Sequence, residues 1–300
     1  MEKGVLVGES TTEGTTRLTY EVTRTLAAAR RNFARRFKAC RKDPSEKRVH
    51  ALRIEARRLL SVIDLLARSH TPQALDKARR AAKKKLKLLD GLRDQHVQAL
   101  ALKHLSREFP GLKPVYKVMR KEETRLEEEV RRKLKHSGVE KLAKRLQKLQ
   151  ADYTQWRRHK ETHASSLIVR AIDNAFAAVL RLRSAINPRF TDTIHRTRIA
   201  FKKFRYMIEA LPSTRRAYGR DRLARLREYQ TAMGEIQDME VLLTNLEKFT
   251  KARKKMEITT KPIVGELARR HALLIQNYMA TADELYSFWG PGKRPDIPNQ

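Results

Sequence analysis

A doubled pattern limits how this chain can fold. Around His50 the sequence reads VHALRIEARRLLSVIDLL and around His195 it reads IHRTRIAFKKFRYMIEAL, so a histidine, an arginine and a basic pair recur at an offset of 145, from position 50 to position 195. A second element follows each copy in the same order, LDGLRDQHVQAL around Asp94 and AMGEIQDMEVLL around Asp238, at an offset of 144, from position 94 to position 238. Two elements kept in order at nearly one separation point to a duplicated unit, as in folds whose repeats bury a shared core.

The unit is helical. Glycine and proline are scarce, at 11 and 10 of 300 residues, and they fall where helices should stop. Leu18, Val22, Leu26, Ala29, Phe33 and Phe37 recur at three- and four-residue spacing and predict a first helix over about residues 16–42. Asp43, Pro44 and Glu46 supply an N-cap, an N1 proline and an N3 acid for a second helix over about 45–69. Thr71 and Pro72 open a long third helix to about residue 107. Charge-mixed segments over about 115–137 and 139–160 read as exposed helices laced by ion pairs. Further helices are expected over about 163–186, 192–211, 214–250 and 262–287. The expectation is an all-α fold of duplicated four-helix units, residues 16–160 and 161–290, packed as bundles. Residues 1–15 read as a flexible N-terminal segment and 291–300 as a disordered tail.

Charge supplies the partner class. Lys and Arg number 67 against 34 acidic residues, a formal net charge of +33, which calls for an anionic partner. On a helix, positions i, i+3 and i+7 fall within about 60° of arc. His50, Arg53 and Arg57 therefore form one polar stripe and His195, Arg198 and Lys202 its copy, with Arg58, Lys203 and Arg205 alongside. The same helices carry an apolar face of Leu52, Leu59, Val62, Ile63 and Leu66, and of Ile199, Phe204, Ile208 and Leu211 in the copy. Arginine forks grip two oxygens at once, lysine acts as a point charge, and histidine adds a donor whose charge changes near neutral pH. Arg79, Lys83 and Lys87 make a further stripe at four-residue spacing, and Arg222 and Arg225 stand in the equivalent region of the second unit. A carboxylate inside such a site would repel an anion, so Asp94 and Asp238 are expected to orient a neighbouring Arg, Lys or His.

The doubled H-x-x-R-x-x-x-R/K-R/K pattern, with G-L-R-D and G-E-I-Q-D following, resembles the CHAD family of histidine-containing α-helical domains over about residues 16–290. The resemblance implies two pseudo-symmetric bundles around a basic pore that binds inorganic polyphosphate, with association to polyphosphate granules. By motif match the binding role falls on His50, Arg53, Arg57, Arg58, His195, Arg198, Lys202, Lys203 and Arg205. CHAD domains often accompany a triphosphate-tunnel enzyme domain, and no all-β sequence with paired glutamates is left over to supply one. The second glycine–aspartate element is one residue longer than the first.

Two other classes compete. Nucleic acid would be held by the same release of counterions, but aromatics are 6% of the chain and no stacking platform or recognition module stands out, so only weak competing affinity is expected. A phosphohydrolase acting on polyphosphate would need a nucleophile or metal motif, and neither G-x-x-x-x-G-K-[ST] nor H-E-x-x-H occurs. His96 and His104, eight apart and near Asp94, read as satisfied or exposed histidines, so no catalytic residue, metal or cofactor is expected. Cys40 alone excludes an internal disulfide and suits a position packed beside Phe37 in a reducing compartment. The opening residues carry no apolar signal core and no stretch is long enough to span a membrane, so a cytoplasmic site at polyphosphate granules is expected.

Overall fold

A computed structural model describes residues 9–66, 71–251 and 254–289. Every regular element among them is helical: α1 (Glu9–Lys42), α2 (Glu46–Leu65), α3 (Pro72–Lys87), α4 (Asp90–Glu108), α5 (Lys113–Lys135), α6 (Glu140–His159), α7 (Glu161–Ser184), α8 (Thr191–Ala210), α9 (Pro212–Lys251) and α10 (Lys254–Thr281), with short 3-10 turns at Pro110–Leu112 and Ala282–Ser287. None of these helices is long and apolar enough to cross a membrane. Helix α1 starts seven residues before the expected position 16, at Glu9. The rest of the expected flexible N-terminal segment, the tail 291–300 and the expected end of the second helix at Ser69 lie outside the described residues.

Helix α1 forms as its periodicity predicts. Leu18, Val22, Leu26, Ala29, Phe33, Phe37 and Cys40 are all buried, a stripe that turns one face of the helix into the core. Burial pushes the Cys40 thiol up to about 12, with Asp43 reinforcing the shift, so it packs as a small apolar group. Helix α2 starts at Glu46 with Ser45 at the N-cap, and Asp43, the expected cap, instead holds Arg48 at 2.8 Å.

The expected third helix is two. The chain stays in the right-handed region through Leu88 and Leu89, but Leu89 N–H donates to the Leu86 carbonyl at 3.0 Å, a tightened turn that redirects α4. Leu89 is buried at that bend, and the reward for it is tertiary: α3 packs on α2 and α6, whereas α4 packs on α5, α2 and α9. Helix α9 also bends, at Gly219 with φ 68° and ψ 172°, a conformation open essentially to glycine alone. Pro262 lies inside α10 rather than at its start.

One large core runs from Leu18 to Trp289 and takes residues from both halves of the sequence. A smaller core of Leu102, Leu112, Val115, Leu242, Leu246 and Leu267 joins α4 and α5 to α9 and α10. Helices carrying the repeated elements face each other, α2 on α8 and α4 on α9, and α1 packs on α7. Six α-helices precede residue 160 and four follow among the described residues, so the first half carries more than four. Helix α5 carries ion pairs along its own surface, such as Arg125–Glu122 at 2.6 Å, but α5 and α6 also bury Val130, Leu134, Leu142, Leu146, Leu149 and Tyr153. Ile199 is 55% exposed, because the buried positions of α8 follow Ile194, Thr197, Phe201, Phe204 and Ile208, and residue 199 falls on the opposite side of that stripe.

Candidate anion-binding site

The packing of α2 on α8 decides where the two basic stripes go. Each helix buries an apolar face, and the adjoining polar stripe is carried to the edge of the shared interface. His50, Arg53 and Arg57 of α2 meet Arg198 and Lys202 of α8 there, joined by Arg93 of α4, because these groups feel one another's charge. Burial holds the Arg57 guanidinium below its ordinary value, and Arg53 and Arg198 push the same way.

Lys202 shows the effect most. Burial, then Arg57, Arg198, Arg53 and Arg205, hold its ammonium down at about 7, so near neutrality it is only partly charged. It has no ion pair or hydrogen bond with another described residue. Burial lowers His50, with Arg93 as the next cause, and burial lowers His195, with Arg198 next. A buried Arg198 Nε and a buried His195 Nδ1 have no hydrogen-bond partner among the described residues. Buried polar atoms left in this state are costly unless a ligand or solvent satisfies them. Gly234 of α9 lies beside the Arg198 side chain, where a Cβ would make ordinary contact at 3.4 Å with its Nε and Nη2.

Carboxylates enter from α4 and α9. Asp94 and Asp238 are both raised by burial, Arg53 being the main charge that opposes this for Asp94 and Arg198 for Asp238, and Asp238 raises Asp94 further. Neither carboxylate takes a hydrogen bond from a described cation, so the expected orienting role is not seen in that form. Asp90 takes it instead: its Oδ1 pairs with Arg53. Arg93 additionally reaches Glu46 at 3.4 Å. Arg53, Arg57, Arg93, Arg198 and Lys202 thus face Asp90, Asp94 and Asp238, an excess of cations in one partly buried place.

The remaining sequence candidates are engaged elsewhere. Asp64, buried on α2, accepts Arg79 Nε at 2.7 Å and lies 3.3 Å from Lys203 Nζ, so these two cations clamp α3 and α8 onto α2. Arg58 is exposed and pairs with Glu55 at 2.8 Å. Arg205 borders the cluster, yet it is buried, donating to Gln230 and Glu209 at 2.8 Å each and lying over the Tyr206 ring. Arg222 donates to the Phe288 carbonyl at 3.3 Å and Arg225 to Glu284 at 2.7 Å, fastening the C-terminal turn roughly 20 Å along α9 from Asp238. Lys83 and Lys87 are exposed on α3. Asp90 and Arg93 were missed. Their signal was present, since Asp90, Arg93 and Asp94 stand at i, i+3 and i+4 on one helix face.

Fold and cluster together define a class: an all-helical protein that gathers cations from two packed, histidine-headed helices. The chain belongs to the CHAD family, whose domain model matches residues 24–247. It is also similar to the crystal structure of the CHAD domain from the plant Ricinus communis, with 19% identity, a TM-score of 0.68 and coverage of 93% of each chain. No protein of curated function matches the chain.

Proposed function

We propose that this protein binds inorganic polyphosphate without transforming it, in a groove between two pseudo-symmetric helical units that meet where α2 packs on α8. Lys202 carries the reading: a lysine held near pH 7 by burial and then by four arginines, and ion-paired with no carboxylate among the described residues, is a site that gains most from a polyanion. A linear phosphate chain restores the charged form of Lys202 and supplies acceptors for Arg198 Nε and His195 Nδ1.

A bare phosphate chain also suits the burial better than nucleic acid does. DNA and RNA present phosphates on a bulky scaffold of sugars and bases, whereas the cluster cations are half-buried between helices. The Tyr206 ring, which neighbours Arg57, is itself buried and covered by Arg205, so it offers no stacking face. A binding rather than hydrolytic role is supported by the chemistry of the cluster, which consists of anion donors and acids with no hydroxyl or thiol nucleophile set beside a base. The family's association with polyphosphate favours a location at cytoplasmic polyphosphate granules.

A competition titration tests this. Long polyphosphate, double-stranded DNA and single-stranded RNA are titrated against one another on the full chain at physiological ionic strength. Polyphosphate displacing both nucleic acids supports the reading, and nucleic acid displacing polyphosphate refutes it.

A further inference from the structure

A second cluster lies where α4 packs on α5, built from groups of the opposite sign. His96 of α4 is 2% exposed, and Glu123 of α5 is 6% exposed. Glu127, four residues on and so on the same face of α5, is half-buried. The three residues offer ligand atoms that all lie within 4.8 Å of one another. His96 Nε2 stands 3.4 Å from Glu127 Oε1 and 3.8 Å from Glu123 Oε1.

Those spacings decide what the cluster is suited to. A good N–H···O bond spans about 2.7–3.2 Å, so both separations are long for direct contacts. A tetrahedral ion with bonds of about 2.0–2.1 Å instead holds its donor atoms roughly 3.4 Å apart. An orphaned oxygen points the same way. Glu123 Oε2 is buried with no partner among the described residues, while Glu123 Oε1 is fixed by Arg120 at 2.5 Å. Two glutamates against one arginine leave this spot negative within a chain of formal charge +33, a deficit that a dication offsets.

We propose that His96, Glu123 and Glu127 bind a divalent transition-metal ion, Zn²⁺ being the one whose tetrahedral preference suits one imidazole and two carboxylates. The fourth position opens to water beside the partly exposed Glu127. The ion ties α4 to α5 and so stiffens the helix that carries Asp90, Arg93 and Asp94 into the cationic cluster. The histidine read from sequence as merely satisfied or exposed is here a ligand.

The test uses the full chain, stripped with a chelator and free of polyphosphate, which would itself hold divalent ions. Calorimetric titration with ZnCl₂ should show one equivalent bound per chain. His96→Gln and Glu127→Gln should each weaken it by at least about a hundredfold, beyond the ~10–100-fold typical of groups that only orient a ligand. Because Glu127 is partly exposed, Glu127→Gln should keep the native circular dichroism even where His96→Gln does not. Co²⁺ in place of Zn²⁺ should give the intense visible absorption of tetrahedral coordination. Absence of saturable binding, or Zn²⁺ affinity unchanged in Glu127→Gln with the ion therefore held by other histidines, overturns the proposal.

Discussion

Lys202 makes the site's electrostatics measurable. Its folded value near 7 lies below that of the free side chain, so the stability it contributes is complete only above pH 10.5 and is lost as pH falls toward 7. Between pH 7 and 8.5 the ligand-free protein should therefore gain stability with rising pH. Lys202→Met should flatten that gain relative to the parent, as read by urea denaturation at both pH values. Polyphosphate should reverse the depression, so binding at pH 8 should take up close to one proton in the parent and clearly less in Lys202→Met. Calorimetry in buffers of different ionisation enthalpy checks this, and equal uptake by both proteins would remove Lys202 from the site. The same variant should bind polyphosphate about tenfold more weakly, the ~1.5 kcal/mol of one charge-assisted contact.

Among the helices, the bend at Gly219 and the clamp at Asp64 hold the frame. A Cβ at 219 would meet nothing within 4 Å, so Gly219→Ala isolates the backbone cost, expected at about 1–3 kcal/mol in a denaturant titration. Asp64→Asn leaves Arg79 and Lys203 without their shared carboxylate and should cost about 1–3 kcal/mol, while Arg79→Gln, which leaves Asp64 its lysine, should cost less. The clamp was invisible in the sequence. Nothing local marks Asp64 as the partner of residues on two other helices, so Arg79 and Lys203 read as ligand contacts. Local signals served where local physics governs: the periodicity of α1 placed its buried face, and Pro72 placed the start of α3. They failed at Leu88 and Leu89, where the bend is made by tertiary packing. The convergence of Arg53, Arg57, Arg198 and Lys202 was legible because duplication implied that two like stripes face each other. Arg93 and Asp90 needed the helix α4 face to be read as carefully as that of α2.

On the scale of the whole molecule, the question is whether a chain of formal charge +33 binds polyanions everywhere or in one place. General attraction and local recognition both weaken with salt, so salt dependence alone cannot separate them. Matched charge removal can. Changing Arg53, Arg57, Arg198 and Lys202 to alanine takes four cations from the cluster, and changing Lys83, Lys84, Lys87 and Lys103 to alanine takes the same number from exposed helix faces. Polyphosphate affinity at physiological ionic strength, measured for both variants with helicity verified, should collapse in the first and stay within about threefold of the parent in the second, a difference under ~0.7 kcal/mol. Equal losses in the two would contradict a localised site between α2 and α8.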